Sequence, residues 1–139
     1  MDFYYIYVKL SEMNDIVINP TNRTPEIRLE TRGYIKIAGR SIPEDPGVFY
    51  EPLYLWVYEY CLIPQPHTVI DIDLEYFNSG TFKCLLYILR QFVDVKNKGR
   101  KLTINWHYEE DDDDIRERGE YFESILEIKV NMVVKPATE

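Results

Sequence analysis

The amino-acid sequence predicts one α/β domain, in which helices pack mainly on one face of a mixed, largely parallel sheet. Its 139 residues match the size of a single domain. Segments with two-residue alternation are separated by segments with helical spacing, in the order β-β-α-β-α-β-α-β. Strands separated by helices imply right-handed crossovers and parallel pairing. Because the strands alternate instead of being apolar throughout, we expect the face opposite the helices to be open and polar.

The first three elements are two strands and a helix. The strands at residues 27–30 and 34–37 each alternate Ile or Leu with charged or tyrosine side chains, which is typical of a strand with one buried face. A helix then follows Asp45-Pro46, and Pro52 suits its first turn. Its apolar stripe has helical spacing and consists of Leu53, Trp56, Val57 and Tyr60.

The middle of the chain contains a third strand, residues 69–77, and a second helix. The polar side of this strand carries Asp71, Asp73 and Glu75, and its apolar side carries Ile70, Ile72, Leu74 and Tyr76. Asn78 can cap the helix, which ends near Lys98-Gly99. The predicted inward stripe of this helix is Phe82, Leu85, Leu86, Leu89 and Val93.

The last three elements are a strand, a helix and a strand. The strand at residues 102–108 places Leu102, Ile104, Trp106 and Tyr108 on one side. The acidic run at residues 109–114 opens the helix, since acidic side chains suit the positive end of the helix dipole. Its inward residues are Ile115, Gly119, Phe122 and Leu126, and the last strand, residues 128–134, alternates Ile128, Val130, Met132 and Val134 with polar residues.

The charge balance limits the classes of partner. Sixteen Lys and Arg residues against 24 Asp and Glu residues give a net charge of −8, which argues against sequence-independent nucleic-acid binding and against docking on an anionic membrane. No stretch approaches the ~18 apolar residues of a membrane span, and the N-terminus has no cationic leader. We therefore expect a cytoplasmic protein. Cys61 and Cys84 lie in apolar runs without metal-ligand spacing, and we expect both to be buried free thiols.

Catalytic motifs are weak in this sequence, so we expect no cofactor. His67 and His107 lie outside any known motif and are predicted to be surface residues. Asp71, Asp73 and Glu75 project from one strand face at steps of about 6.6 Å. This spacing suits a divalent metal, and thus a metal-assisted hydrolase, but it equally suits the solvated face of a sheet.

The strand–helix junction at residues 78–83, NSGTFK, is the most specific local feature. Ser79 falls in the first turn of the helix, where unpaired backbone N–H groups and the dipole favour an anion. A phosphoryl group on Ser79 would add roughly −1.5 to −2 charges there, and Lys83 one turn later could hold it. The simpler interpretation is an ordinary serine at a helix start.

Four stretches form a combined signature: TPEI from Thr24, GRSIPEDPGVFYEPLYLWVYEY from Gly39, LEYFNSGTFK from Leu74 and INWHYEEDDDDIRERGEYFE from Ile104. Together they resemble the SiaC family of bacterial regulatory phosphoproteins, relatives in fold of STAS-domain anti-anti-sigma factors. The resemblance covers residues 13–139. We therefore expect residues 1–12 to be an N-terminal extension or the product of a start codon assigned too early.

The resemblance implies a STAS-like fold and a non-catalytic partner-switching protein. A cognate serine/threonine kinase would phosphorylate the chain, and a PP2C-type phosphatase would reverse the modification. The unphosphorylated form would bind and activate an effector, in the best-known branch a diguanylate cyclase that raises cyclic-di-GMP and favours biofilm. The family phosphosite directly follows the Asn of the strand–helix junction and is therefore Ser79 here, with Thr81 as the second choice.

The expected docking surface combines the helix start with neighbouring loops. It comprises Asn78, Gly80, Lys83, Arg40, Ser41, Glu44 and Asp45. Two alternatives stay open, namely the metal-assisted hydrolase and a constitutive scaffold that binds a basic partner through the acidic run.

Overall fold

Six strands lie side by side in one sheet in the computed structural model, which describes residues 12–137. The strands are β1 (Ile16–Ile18), β2 (Glu26–Glu30), β3 (Tyr34–Ser41), β4 (His67–Phe77), β5 (Lys101–Glu109) and β6 (Asn131–Lys135). The helices in this part of the chain are α1 (Pro46–Leu62), α2 (Ser79–Asn97) and α3 (Asp113–Leu126). The predicted mixed α/β fold is confirmed.

The strand order follows the chain order, β1-β2-β3-β4-β5-β6. The pairs β1–β2 and β2–β3 are antiparallel, and the pairs from β3 to β6 are parallel, each connected through a helix. Because parallel crossovers are right-handed and the strand order never reverses, all three helices lie on the same face. Each helix therefore begins at the same edge of the sheet, beside the carboxyl ends of β3, β4 and β5.

The core lies between the sheet and this helical layer. Alternate strand residues point into it and are almost fully buried: Ile27, Leu29, Ile35, Ile37, Ile70, Ile72, Ile104 and Trp106. The helices add buried side chains to the same cluster, among them Tyr50, Leu53, Leu85, Phe92 and Phe122. Full burial of one such side chain contributes roughly 1.5–3 kcal/mol, so this layer is the main source of stability. The opposite face is polar, as predicted.

Strand β4 contains an irregularity near its carboxyl end that changes its side-chain alternation. Its pairing with β3 skips Glu75, which is an extra residue in β4 and therefore forms a bulge. The prediction that Tyr76 lies on the apolar side is wrong, because the bulge turns Tyr76 outward and Phe77 into the core.

The structure differs from the sequence-based expectation at four further points. Strand β1 was not predicted, because three apolar residues are too few to show a period. Pro52 lies inside α1, whereas Pro46 occupies the first helical position after the Asp45 cap. The last strand begins at Asn131, three residues later than predicted. In α2 the buried stripe is rotated relative to the prediction and consists of Thr81, Cys84, Leu85, Ile88, Leu89, Phe92 and Val95.

Cys61 and Cys84 are free and buried, as predicted. Between residues 12 and 137, the helices are all too short or too polar to cross a lipid bilayer. The prediction for residues 1–12 falls almost entirely outside the described part of the chain.

Candidate functional site

The strand–helix junction after β4 lies at the carboxyl edge of the parallel strands, beside the starts of the helices. Asn78 is the N-cap of α2, and its side-chain oxygen accepts a hydrogen bond from the Thr81 backbone N–H at 2.9 Å. Ser79 is the first helical residue, and its side chain is exposed. The cap fixes the helix start, so Ser79 is held on a defined backbone with its hydroxyl open to solvent.

A cluster of three buried hydroxyl groups lies beneath this helix start. The Ser41 hydroxyl is 2.7 Å from the Tyr50 hydroxyl and 2.8 Å from the Thr81 hydroxyl. Thr81 also donates to the Ser41 carbonyl oxygen at 3.0 Å. Burial raises the pKa of Tyr50, so its phenol is neutral. The cluster joins the end of β3 to α1 and α2, and it leaves each buried hydroxyl with a partner.

Two of the predicted site residues therefore belong to the core and not to the surface. Ser41 and Thr81 are fully buried, because Ser41 ends β3 pointing into the core and Thr81 lies on the inward side of α2. Neither hydroxyl can meet a kinase or a docked protein in this conformation. This burial argues against Thr81 as the second-choice phosphosite and against direct docking by Ser41, whereas the exposed Ser79 is available.

The starts of α1 and α2 are in direct contact at Gly80. A Cβ atom at Gly80 would lie 2.7 Å from Pro46 Cγ, which is closer than real Cβ contacts allow. The absence of a side chain at Gly80 therefore lets the first turn of α2 approach the first turn of α1. The Asp45 carboxylate caps α1 by accepting from the Val48 N–H at 3.2 Å.

The other predicted docking residues lie on the surface. Arg40, Glu44 and Lys83 have exposed side chains, and Asp45 is exposed as well. Arg40 belongs to the end of β3, opposite the bulge of β4, whereas Lys83 lies on the first turns of α2. The structure thus places both predicted cations at the same edge of the sheet as Ser79.

Arg118 of α3 is a further residue at this junction, and sequence reasoning missed it. Its Nη1 atom donates to the Phe77 carbonyl oxygen at 2.7 Å, and its guanidinium carbon lies 4.6 Å from the centroid of the Phe77 ring. This brings a permanent cation to the backbone two residues before Ser79. Arg118 falls within the stretch IRERGEY, but its contact with Phe77 spans 41 residues and leaves no local signal.

Two of the three acidic residues of β4 have partners of their own. Asp71 accepts hydrogen bonds from Tyr34 at 2.8 Å and from Asn105 at 2.9 Å, Asp73 pairs with Lys135, and Glu75 is the bulge residue. Within residues 12–137, no three His, Cys, Asp or Glu side chains come together as metal ligands would. This geometry does not support the metal-assisted hydrolase.

Asp71 is the centre of a hydrogen-bonded group on the polar face of the sheet. The His107 ring nitrogen Nε2 lies 3.3 Å from its carboxylate, and Asn131 donates to Asn105 at 3.2 Å. Partial burial opposes ionisation of Asp71, but the hydrogen bonds from Asn105, Tyr34 and His107 together outweigh burial and lower its pKa. Burial and the bond to Asp71 raise the pKa of Tyr34 to about 12.

Both histidines have polar surroundings. His107 lies on the polar side of β5, as predicted, and His67 is exposed at the start of β4 with its Nε2 atom 2.9 Å from the Thr103 hydroxyl.

The acidic run contributes to the start of α3. Asp112 is the N-cap and accepts from the Ile115 N–H at 3.0 Å. Asp113 and Asp114 occupy the first turn, near the positive end of the helix dipole. The prediction that the run opens a helix is confirmed for these three residues.

Comparison with known proteins relates this chain to a family of regulatory phosphoproteins. The sequence pattern that defines the SiaC family regulatory phosphoproteins matches residues 18–135. An uncharacterised protein of Pseudomonas aeruginosa (strain UCBPP-PA14) is 27% identical over 111 residues, which cover 79% of this chain and 88% of that protein.

Solved structures agree with this match. The apo-SiaC structure from Pseudomonas aeruginosa has 25% identity and a TM-score of 0.76, and the match covers 88% of this chain and 99% of SiaC. A chain in the crystal structure of the diguanylate cyclase SiaD in complex with its activator SiaC, from the same organism, has 24% identity and a TM-score of 0.81, covering 87% of this chain and 100% of that chain. Since the family pattern spans most of the sequence, this protein belongs to the SiaC family of regulatory phosphoproteins.

Proposed function

We propose that this chain is a phosphorylation-gated partner switch in which Ser79 is the modified residue. A cognate serine/threonine kinase adds the phosphoryl group, and a PP2C-type phosphatase removes it. The observation that carries the proposal is the exposure of Ser79 at the first position of α2, directly after the Asn78 cap. The other two hydroxyl-bearing residues of the predicted site, Ser41 and Thr81, are buried.

The electrostatics of the junction favour a phosphoryl group on Ser79. The unpaired N–H groups and the dipole of α2 attract an anion at the first turn. Lys83 lies one turn away, and Arg118 is held beside Phe77. Lys83 offers a charge-assisted hydrogen bond to the phosphoryl oxygens. Arg118, which also pairs with Asp114 at 3.8 Å, adds positive charge beside the junction.

The same phosphoryl group opposes docking. A partner that covers the start of α2 buries the neutral Ser79 hydroxyl at little cost, whereas burial of a dianion carries a large desolvation penalty. The unphosphorylated chain therefore binds its effector, and phosphorylation releases it.

The proposed effector is a diguanylate cyclase. SiaC from Pseudomonas aeruginosa forms a complex with the diguanylate cyclase SiaD as its activator, and this chain shares the SiaC fold and family. In this proposal the chain is a non-catalytic cytoplasmic protein, and its binding raises cyclic-di-GMP and favours biofilm. The relation in fold to STAS domains remains a prediction.

The deciding experiment is a pull-down from lysate of the native host with four forms of the chain. We expect the wild type and Ser79→Ala to retain a diguanylate cyclase and Ser79→Asp to retain at least tenfold less. The control, Ser79→Thr, keeps a hydroxyl and is expected to retain the cyclase and accept phosphate. Mass spectrometry of the chain from its host is expected to find phosphate on Ser79. Equal capture of partners by all forms, together with an unmodified Ser79, contradicts the proposal.

A further inference from the structure

Helix α1 is apolar in almost every direction. Among its seventeen residues, PGVFYEPLYLWVYEYCL, only Glu51 and Glu59 are charged. Its inner side is buried through Tyr50, Leu53, Trp56, Val57, Tyr60 and Cys61. A helix that is apolar all round is normally buried on all sides, and the outer side of α1 departs from this rule.

The outer side of α1 is open to solvent. Val48 is 66% exposed, Leu55 63% and Tyr58 55%. At 3.6 residues per turn, these side chains fall within an arc of about 80° and extend over roughly 15 Å. Tyr87 of α2, 52% exposed, extends this surface across the neighbouring helix. It is held there by an edge-to-face contact with Tyr54, with ring centroids 4.9 Å apart.

These residues define one surface, the α1 outer face, which consists of Val48, Leu55, Tyr58 and Tyr87 together with Glu51 and Glu59. An exposed apolar patch with a charged rim is typical of a protein-binding site. We propose that the α1 outer face docks a partner protein whose contact surface is apolar and flanked by Lys or Arg side chains. The inference rests on the proposed function in one respect: the partner is the effector of the switch.

The charges on α1 favour such a partner over a second copy of this chain. In a two-fold interface each residue meets its counterpart reciprocally. Glu51 and Glu59 both lie four residues from Leu55, so a two-fold antiparallel pairing centred on Leu55 brings the two carboxylates together twice. Helix α1 contains no Lys or Arg to compensate. A partner that supplies cations at these two positions converts the repulsion into attraction.

The position of the α1 outer face links it to the switch. Its first residue, Val48, lies in the opening turn of α1, next to Pro46, which contacts Gly80 at the start of α2. One partner can therefore contact Ser79 and the α1 outer face together. Phosphorylation then changes one end of a continuous interface, while the apolar stripe supplies contact area in both states.

The experiment measures affinity for the protein that the wild-type chain retains in the pull-down. We expect Leu55→Asp and Tyr58→Asp each to weaken binding at least tenfold. The matched control is Val17→Asp, because Val17 is 54% exposed but lies in β1. We expect this control to change affinity less than twofold. Urea unfolding of all variants shows whether the fold is retained.

A second pair of variants tests the charge of the partner. We expect Glu51→Lys and Glu59→Lys to weaken binding about three- to tenfold at low salt and less at high salt, because screening reduces charge pairing. Tighter binding by either lysine variant would show that the contact surface of the partner is not basic. Any one of three results overturns the proposal. These are unchanged binding by Leu55→Asp, failure of the wild type to retain any protein, and a wild-type dimer that Leu55→Asp dissociates.

The outcomes separate this inference from the proposed function. If Ser79→Asp binds as well as Ser79→Ala while Leu55→Asp abolishes binding, the α1 outer face is a docking surface without a phosphorylation gate. If Ser79→Asp releases the partner while Leu55→Asp binds normally, the gate stands and the docking surface is refuted.

Discussion

The buried hydroxyl cluster makes the start of α2 sensitive to single atoms. Ser41→Ala removes the partner that lies 2.7 Å from the Tyr50 hydroxyl. A buried polar group left without its partner typically destabilises a protein by about 1–3 kcal/mol, and we expect a loss of that size. The double variant Ser41→Ala/Tyr50→Phe also removes the orphaned hydroxyl. It should therefore be less destabilised than the sum of the single variants, as measured by urea unfolding, and strict additivity contradicts this coupling.

The Asp71 hydrogen bonds predict a specific pH dependence of stability. Because the pKa of Asp71 is lower in the folded chain, its ionised form stabilises the fold above the unfolded pKa of about 3.9. That stabilisation is lost as the pH falls through the folded value. We expect Asp71→Asn to unfold at lower urea concentration than the wild type at pH 7, with the difference shrinking below about pH 4.

A control separates the Asp71 hydrogen bonds from a general effect of charge. Asp111→Asn removes the same charge from an exposed turn. Its stability should follow the wild type over the whole pH range. A constant gap between Asp71→Asn and the wild type down to pH 2.5 contradicts the assignment.

The sequence alone predicts the positions of those site residues whose roles depend on their immediate neighbours in the chain. The Asn78 cap and the place of Ser79 in the first turn follow from a spacing of three residues. Burial of Thr81 and the contact of Arg118 with Phe77 depend instead on pairs 40 and 41 residues apart in the chain. Such contacts leave no pattern in the sequence, and therefore the burial of Ser41, a predicted docking residue, could not be predicted.

At the scale of elements, Gly119 controls how closely α3 packs on β5. A Cβ atom at Gly119 would lie 2.5 Å from Trp106 Cδ1, and Trp106 is fixed by full burial and by its bond to the Ile115 carbonyl oxygen at 2.9 Å. Overpacking of this kind typically costs about 1–3 kcal/mol, whereas Ala is preferred over Gly inside a helix by about 1 kcal/mol. We expect the packing cost to prevail, so that Gly119→Ala lowers the free energy of unfolding.

Gly47→Ala is the matched control for this packing effect. Gly47 lies in the first turn of α1, and its added Cβ would be no closer than 3.5 Å to the Asp45 carboxylate. The expected result in urea unfolding is a neutral or slightly stabilising change. Equal destabilisation at Gly47 and Gly119 would show that helix geometry, and not the contact with Trp106, is responsible.

Periodicity predicted most elements because a long strand or helix repeats its pattern several times. The strands β2 to β5 and the three helices show such repeats, and the structure confirms their order. The bulge at Glu75 interrupts the period near the end of β4 and reverses the side of Tyr76. Strand β1 has three residues and is defined by its pairing with β2, which the sequence pattern does not reveal.

For the whole molecule, the distribution of charge is more informative than its sum. The net charge is −8, and six carboxylates belong to the run at residues 109–114. Part of this run has a structural role, since Asp112 caps α3 and its two successors lie in the first turn. Glu110 and Asp111 precede the helix and are exposed, as are Asp113 and Asp114 within its first turn. Because Glu110 and Asp111 lie outside the helix, changing these two residues tests a constitutive acidic scaffold without disturbing the cap of α3.

Glu110→Gln/Asp111→Asn separates the scaffold from the partner switch. The double variant removes two charges, leaving −8 + 2 = −6, and keeps the Asp112 cap. Because both side chains are exposed, the free energy of unfolding should change little. We expect effector affinity to change less than twofold and to keep its dependence on Ser79, as measured by calorimetry at low salt.

Asp112→Ala is the structural counterpart, which should cost about 1 kcal/mol of stability through loss of the cap. A tenfold loss of affinity in the double variant, with equal binding by Ser79→Ala and Ser79→Asp, would instead assign binding to the acidic run.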